Sequence, residues 1–309
     1  MAAIASPRKS TTVLNSVRFA TLRTSFALGS WLMPQATLQR GFRLFGTPMP
    51  GSRARARAAD TAGATLRHIE FGSARVACYS WGDTEHQPIA LLAHGWSGYG
   101  LQWLPWVEPL RKAGYAVVTF DQVAHGRSSG QRATLPMFAD VLQRVAQCHR
   151  TPDLVMGHSL GGAATTVALV RGLRAKRTAL IAPAADPFEA ARRFGGIVGL
   201  APHLSARLFE EFESLTGIAA RGLQAHLAAP CIASPALVVH DLEDREVPWS
   251  EGERYARYWP HARLLTTSGL GHNRILTDAE VIRRVIDFLN GATVGERVVS
   301  SPNLPFGIA

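Results

Sequence analysis

Gly157-His158-Ser159-Leu160-Gly161 sets a serine between two glycines in the pattern G-x-S-x-G, and Gly162 follows. Glycines at these positions permit a sharp turn and let a following helix approach the preceding strand. The serine hydroxyl is then pushed out at a helix N-terminus. A free serine hydroxyl is a poor nucleophile and needs a base to take its proton. The chemistry on offer is nucleophilic attack through Ser159. The same five residues also suit a plain Gly/Ser turn, so the surrounding elements decide between the two.

Those elements alternate. Residues 65–71 and 74–79 flank Gly72-Ser73 and read as a hairpin. Short apolar runs at 89–93, 116–120, 153–156, 178–181, 236–240 and 263–267 read as strands. Helical periodicity occupies 106–113, 135–148, 160–173, 251–258 and 279–289. Apolar runs of this length between helices imply a mostly parallel, twisted sheet with helices on both faces. In such sheets ligands bind beyond the carboxyl ends of the strands. His94, Asp121, Ser159 and Asp244 punctuate those ends. Ser159 thus follows a strand and precedes a helix, as the motif requires. Residues 184–234 interrupt the rhythm, with helical stretches near 188–194 and 204–215. The expected layout is a basic arm and linker over 1–63, an α/β domain over 64–292 and a tail over 293–309.

Over about residues 64–292 the sequence resembles the α/β-hydrolase family, most closely its lysophospholipase-like and serine-aminopeptidase-like branch. The resemblance implies a serine, an acid and a histidine in that chain order. Here they would be Ser159, Asp244 and His272. His272 sits in Ser268-Gly269-Leu270-Gly271-His272-Asn273, after the last strand and before the last helix. It would move the proton between Ser159 and the leaving group. Asp244 lies in Asp244-Arg245-Glu246-Val247-Pro248, in register with the family's Asp-x-x-Val-Pro text. Asp241, Glu243, Glu246 and Asp186 are rival acids. The family's oxyanion donors would be the backbone N–H groups of Leu160 and of Trp96, the latter in His94-Gly95-Trp96. Asp121-Gln122-Val123-Ala124-His125-Gly126-Arg127-Ser128 resembles the family's D-x-x-G-x-G-x-S turn, with Ala124 in place of the first glycine. That segment reads as structural, with His125 as an alternative second base.

The expected activity is hydrolysis of a carboxylic ester through an acyl-enzyme, with a small lipophilic ester as partner. Trp96, Tyr99 and Trp103 are candidate substrate contacts, because aromatic walls suit an acyl chain. Trp103 and Trp106 also fit simple helix packing. The resemblance makes 184–234 a small helical cap, whose Phe188, Phe194, Leu204, Leu208, Phe209 and Phe212 would hold a lipophilic substrate or pack inward. Arg192, Arg193 and Arg207 are candidates for a carboxylate or phosphate. Glu210, Glu211 and Glu213 would suit a substrate amine. Thioesterase, acyltransferase and aminopeptidase chemistry use the same triad, and a catalytically silent binding protein is a further alternative. Neither metal-ligand spacing nor a phosphate loop is present, so no cofactor is expected.

Composition narrows the classes further. The chain has 309 residues, 47% hydrophobic and 18% charged, which excludes a disordered chain. Its net charge is +10. Residues 1–59 hold nine arginines or lysines and no acid, which leaves 24 basic against 23 acidic residues elsewhere. A neutral domain argues against nucleic acid. Leu38, Phe42 and Phe45, with Arg40 and Arg43 between them, are spaced for an amphipathic helix. It would lie on an anionic membrane surface or cover the domain. An organelle targeting peptide and a misplaced start codon are other readings of this arm. Residues 52–59 read as a solvated linker. Cys78, Cys148 and Cys231 form no framework, so a reducing, cytoplasmic setting is expected. Oligomeric state is not written in the sequence.

Overall fold

The computed structural model describes residues 8–298. The chain divides into two compact units. One joins the chain up to Gly46 with Pro187–Ala220, and the other joins Thr47–Asp186 with the chain from Arg221 onward.

The second unit is built on an eight-stranded sheet. Its strands are β1 (Thr65–Phe71), β2 (Ala74–Trp81), β3 (Ile89–Ala93), β4 (Ala116–Phe120), β5 (Leu154–His158), β6 (Arg177–Ile181), β7 (Ala236–Asp241) and β8 (Ala262–Thr267). Their spatial order is β1-β2-β4-β3-β5-β6-β7-β8. β1 and β2 pair antiparallel, and β2 meets β4 antiparallel. Every other pairing is parallel. Parallel neighbours need crossover connections, and helices supply them. In chain order the helices of the molecule are α1 (Arg8–Leu32), α2 (Pro34–Phe45), α3 (Ser52–Ala58), α4 (Leu104–Lys112), α5 (Leu135–Gln147), α6 (Leu160–Val170), α7 (Pro187–Val198), α8 (Pro202–Thr216), α9 (Ala225–Ala228), α10 (Trp249–Tyr258), α11 (Gly271–Arg274) and α12 (Ala279–Leu289).

Side-chain alternation along the central strands feeds two separate cores. Ala179 and Ile181 of β6, with Leu237 and Val239 of β7, pack with Trp106 and Leu110 of α4 and Val285 and Phe288 of α12. Leu180 and Val238 point the other way and pack with Leu169, Tyr255 and Trp259 beside α6 and α10. A period of two in a strand buried on both sides has this consequence. Each buried aliphatic or aromatic side chain contributes about 1.5–3 kcal/mol. β5 therefore sits in mid-sheet with a rigid carboxyl end, the end at which Ser159 follows.

Residues 52–59 are not a solvated linker. Ser52–Ala58 form α3, with Ser52 and Ala56 buried. Arginine and alanine are good helix formers. The Arg53 guanidinium also donates to the carbonyls of Ala124 (3.1 Å) and Ser128. A polar-looking segment is thus fastened by long-range hydrogen bonds.

The first unit is helical. In α2 the apolar face foreseen from sequence is consumed by packing within this unit. Leu38 is buried, Gly41 lies against Leu200 and Leu208, and the rings of Phe45 and Phe194 are 5.0 Å apart. α1 is a long helix that periodicity did not disclose. Its Phe26 and Ser30 are buried, Ser30 Oγ accepts from Ala201 N at 3.1 Å, and Arg23 donates to the carbonyls of Gly196 (2.7 Å) and Ile197. The inserted stretch expected over 184–234 therefore divides. Pro187–Ala220 groups with α1 and α2, while the chain from Arg221 groups with the sheet. Arg192 pairs with Glu189, and Arg207 with Glu210 at 3.2 Å. Glu213 accepts from Ala220 N. In the tail, Glu296 bridges to Leu264 of β8, and residues 299–309 lie outside the described residues.

Candidate active site

Ser159 joins β5 to α6 with φ 54° and ψ −122°. An L-residue held at such a positive φ stores backbone strain, which persists only where the surroundings enforce it. They do so here. Ser159 N donates to Ile181 O of β6 at 3.0 Å, and Ser159 O accepts from Gly162 N at 2.9 Å. A Cβ on Gly157 would collide with the Gly161 carbonyl, and one on Gly161 would lie 2.5 Å from the carbonyl oxygens of Ala93 and His94. The glycines let α6 start directly against the ends of β3 and β5. The α6 N-terminus, with its unpaired amides, then faces the serine.

His272 lies on α11, in the connection that follows β8, and is 8% exposed. Its Nδ1–H donates to Asp244 Oδ2 at 2.6 Å. With the proton on Nδ1, Nε2 is left as the basic nitrogen; the tautomer is assigned from these partners. The His272 carbonyl accepts from His158 Nε2 at 3.0 Å, and the two rings are 4.7 Å apart. His272 is thereby fastened to the residue next to Ser159.

Asp244 sits in the loop after β7. Its Oδ1 accepts from the amides of Glu246 and Val247, each at 2.9 Å. His240 Nε2 lies 3.4 Å from Oδ2 and 3.0 Å from Val247 O. Burial raises the carboxyl pKa, but hydrogen bonds from His240, His272 and the Val247 amide outweigh it and hold Asp244 well below the ordinary carboxylate range. The rival acids are engaged elsewhere. Asp241 accepts from Thr267 Oγ1 and from the amides of Glu243 and Leu270, and so anchors the connection that carries His272. Asp186 accepts from Gln224 and Arg254. Glu243 accepts from Ser268, and Glu246 from Asn273.

The loop after β3 closes on the elbow. A Cβ on Gly95 would lie 2.9 Å from Ser159 Cβ and 3.1 Å from His158 O, so the backbone of residues 94–96 runs against Ser159. Among the described residues, neither Trp96 N nor Leu160 N has a protein acceptor. Two buried imidazoles hold this loop. His94 donates from Nδ1 to Gly95 O (2.7 Å) and accepts at Nε2 from Gln122 N (2.9 Å). His125 donates from Nδ1 to Val123 O (2.9 Å) and accepts at Nε2 from Ser97 N (3.1 Å). Burial pushes His94 down to about 4 and His125 to about 3, the latter helped by His94. Burial and the neighbouring His272 bring His158 to about 3. All three are neutral supports, and His125 has no nitrogen left to act as a second base.

Asp121 fastens the adjoining turn. Its carboxylate accepts from Tyr79 Oη, Gly100 N and Arg127 N, each at 2.7 Å, and its carbonyl accepts from Ser128 Oγ at 2.6 Å. Ala124, where the family text has glycine, takes φ 68°.

The aromatic candidates separate. Trp96 is half-buried, with its ring stacked on Phe138 and edge-on to His125. Tyr99 is half-buried. Trp103 is 0% exposed and packs against Trp106 at 5.7 Å. This burial favours the helix-packing reading of Trp103 over a substrate contact. Sequence reasoning missed His158 and His240 as supports. Their only signal was a histidine beside the elbow and another at the end of β7. Among the described residues no group of three His, Cys, Asp or Glu is placed to hold a metal. An open cleft at the far end of α6, between Gln143, His149, Arg171 and Arg174, includes none of these groups.

Comparison with known proteins agrees with this architecture. A region of 100 residues is 30% identical to the monoacylglycerol lipase of Mycolicibacterium smegmatis, covering 29% of this chain and 36% of that protein. The match thus spans little more than a third of that relative's length. A membrane phospholipase A described as a bacterial virulence factor superposes with a TM-score of 0.60 at 19% identity, over 91% of this chain and 98% of that one. A hydrolase from Pseudomonas aeruginosa PA01 gives 0.58 at 20% identity, over 75% and 100%. The thioesterase domain from the curacin biosynthetic pathway gives 0.56 at 21%, over 74% and 99%. At such identities these structures speak to the fold alone. The sequence profile of the alpha/beta hydrolase family matches residues 90–285, and with the parallel sheet and the strained serine turn at its centre, the chain belongs to that family.

Proposed function

We propose that the protein is a serine hydrolase of carboxylic esters, with Ser159 as nucleophile, His272 as base and Asp244 as the acid that orients it. The observation that carries this reading is the 2.6 Å hydrogen bond from His272 Nδ1 to Asp244, in a loop tied to the residue beside the strained Ser159. Ser159 Oγ attacks the ester carbonyl carbon as its proton passes to His272 Nε2. Asp244 stabilises the imidazolium. The oxyanion is received by the free amides of Trp96 and Leu160, and each such donor is typically worth about 3 kcal/mol. Collapse expels the alcohol, which takes the proton from His272. Water then attacks the acyl-serine by the same route in reverse, and the acid leaves.

The acyl group we propose is lipophilic. The lipase relative supports this class, and half-buried Trp96, next to the Gly95 backbone that lies against Ser159, offers apolar surface there. The test is hydrolysis of p-nitrophenyl esters from acetate to palmitate at pH 8 by the protein and by Ser159→Ala. Turnover confined to the unsubstituted protein, strongest on the longer chains, is the expected result. Absence of turnover on every chain, with a folded protein and no fluorophosphonate labelling of Ser159, would overturn the reading and leave a silent binding fold.

A further inference from the structure

The helical unit carries an apolar surface that its own packing does not use. Val17, Leu28, Trp31 and Leu32 of α1 are exposed, as is Met33 just beyond it, and Trp31 and Leu32 are each 77% exposed. At about 100° per residue, the four helical positions fall within one stripe roughly 100° wide. Buried Phe26 and Ser30 lie on the opposite side. The intervening stripe positions are Thr21 and Thr24, both exposed and uncharged. Arg18 flanks the stripe on one side and Arg23 on the other. The Trp31 ring touches only the edge of this region, 5.3 Å from His203.

We propose that this face of α1 docks on an anionic lipid surface, with the helix lying in the plane of the interface. Charge selects the occupant. Residues 1–46, the N-terminal part of this unit, contribute six arginines or lysines and no acid, and Arg18 and Arg23 flank the stripe itself, so a second copy of this face would bring like charge against like. A bilayer rich in acidic headgroups offers the complement, and apolar side chains on the same face enter its acyl boundary. Tryptophan at the end of such a stripe suits the headgroup level. The helix lies on the membrane rather than through it: among the described residues no helix is long and apolar enough to cross. The face differs from the one expected in α2, because Leu38 and Phe45 are already used inside the unit.

The experiment is flotation of the full chain with vesicles of phosphatidylcholine alone and with vesicles containing phosphatidylglycerol. It reads binding and so stands apart from the triad assignment. The protein is expected to float only with the anionic vesicles and to release as salt is raised. The triple variant Leu28→Ser, Trp31→Ser, Leu32→Ser should bind at least about tenfold more weakly and keep its melting temperature, since none of the three is buried. Tryptophan emission should be quenched by brominated lipid, and less so in Trp31→Phe. Three results would overturn the proposal. One is a protein that does not float with anionic vesicles, another is equal flotation of the triple variant, and the third is a self-associated form in sedimentation that the triple variant abolishes without any vesicle binding.

Discussion

The closeness of Gly95 to Ser159 turns the proposed oxyanion hole into a single-atom experiment. Gly95→Ala adds one methyl, 2.9 Å from Ser159 Cβ, 3.1 Å from His158 O and 3.2 Å from His158 Nδ1. Ordinary carbon contacts begin at about 3.5 Å, so the loop must retreat by roughly half an ångström. None of the three opposing groups is the tip of a flexible side chain. Ser159 is held by Ile181 and Gly162, and His158 by the His272 carbonyl. The displacement therefore falls on the loop, and with it on the Trp96 amide. Moving one donor off the developing oxyanion costs about 10²–10³ in kcat, with KM little changed because the ground-state carbonyl depends less on it. The cost to stability is that of mild overpacking, about 1–3 kcal/mol, and a melting curve measures it separately. The assay is steady-state hydrolysis of the best p-nitrophenyl ester, read beside fluorophosphonate labelling of Ser159. A folded Gly95→Ala protein with kcat within about threefold of the parent would refute the placement of the Trp96 amide in the hole.

Ala124→Gly should be close to neutral. It relieves left-handed strain worth about 1–2 kcal/mol at φ 68°, but it frees about 0.5–1 kcal/mol of unfolded-chain entropy and removes a buried methyl worth about 0.8 kcal/mol. Tm should stay within about 3 °C; a larger drop would contradict the strain. Acid should destabilise the fold through its buried imidazoles. His94, His125 and His158 have folded values near 4, 3 and 3, below the ordinary 6.5. The unfolded chain therefore takes up protons first as pH falls. Stability is complete above about pH 6.5 and is lost towards pH 4, by up to about 1.4 kcal/mol per pH unit for each imidazole. Urea midpoints at pH 7, 5.5 and 4.5 check this, and equal midpoints would mean that the three rings are not buried neutral.

Much of the sheet was legible because most inner strands are short apolar runs, several of them closed by a glycine or a polar residue. Periodicity alone placed β3 and β4 to the residue and β6 and β7 within one. Ser159 was legible for the same local reason: glycine spacing and strand–helix context are both contained in a dozen residues. The helical unit was not. α1 is apolar on two opposite faces, Phe26 inward and Val17, Leu28 and Trp31 outward, so no single stripe stands out along it. α3 reads as a string of charges, and what makes it a packed helix is Arg53 reaching the carbonyls of Ala124 and Ser128. A contact across some seventy residues leaves no local trace.

The sequence named His272 by its loop and by the family resemblance but did not say how the other histidines are used, and here the structure adds a physical criterion. Five imidazoles surround the elbow: His94, His125, His158, His240 and His272. Any of them is chemically able to serve as a base. Partners separate them. His94 and His125 spend both ring nitrogens on backbone groups. His158 donates to the His272 carbonyl, and burial keeps it neutral. His240 turns its Nε2 towards Val247 O and Asp244 and is fully buried. His272 alone combines a short hydrogen bond to a carboxylate, donated from Nδ1, with an Nε2 that has no protein partner among the described residues. Buried neutral rings also lower the local dielectric response, which strengthens the one ionised contact they enclose. The supports therefore do more than hold the loops in place. His240 shares Asp244 but is fully buried, so the acid–base capacity of the site rests on the imidazole that pairs Asp244 through Nδ1 and keeps Nε2 open, and that favours His272 as the base over its four neighbours.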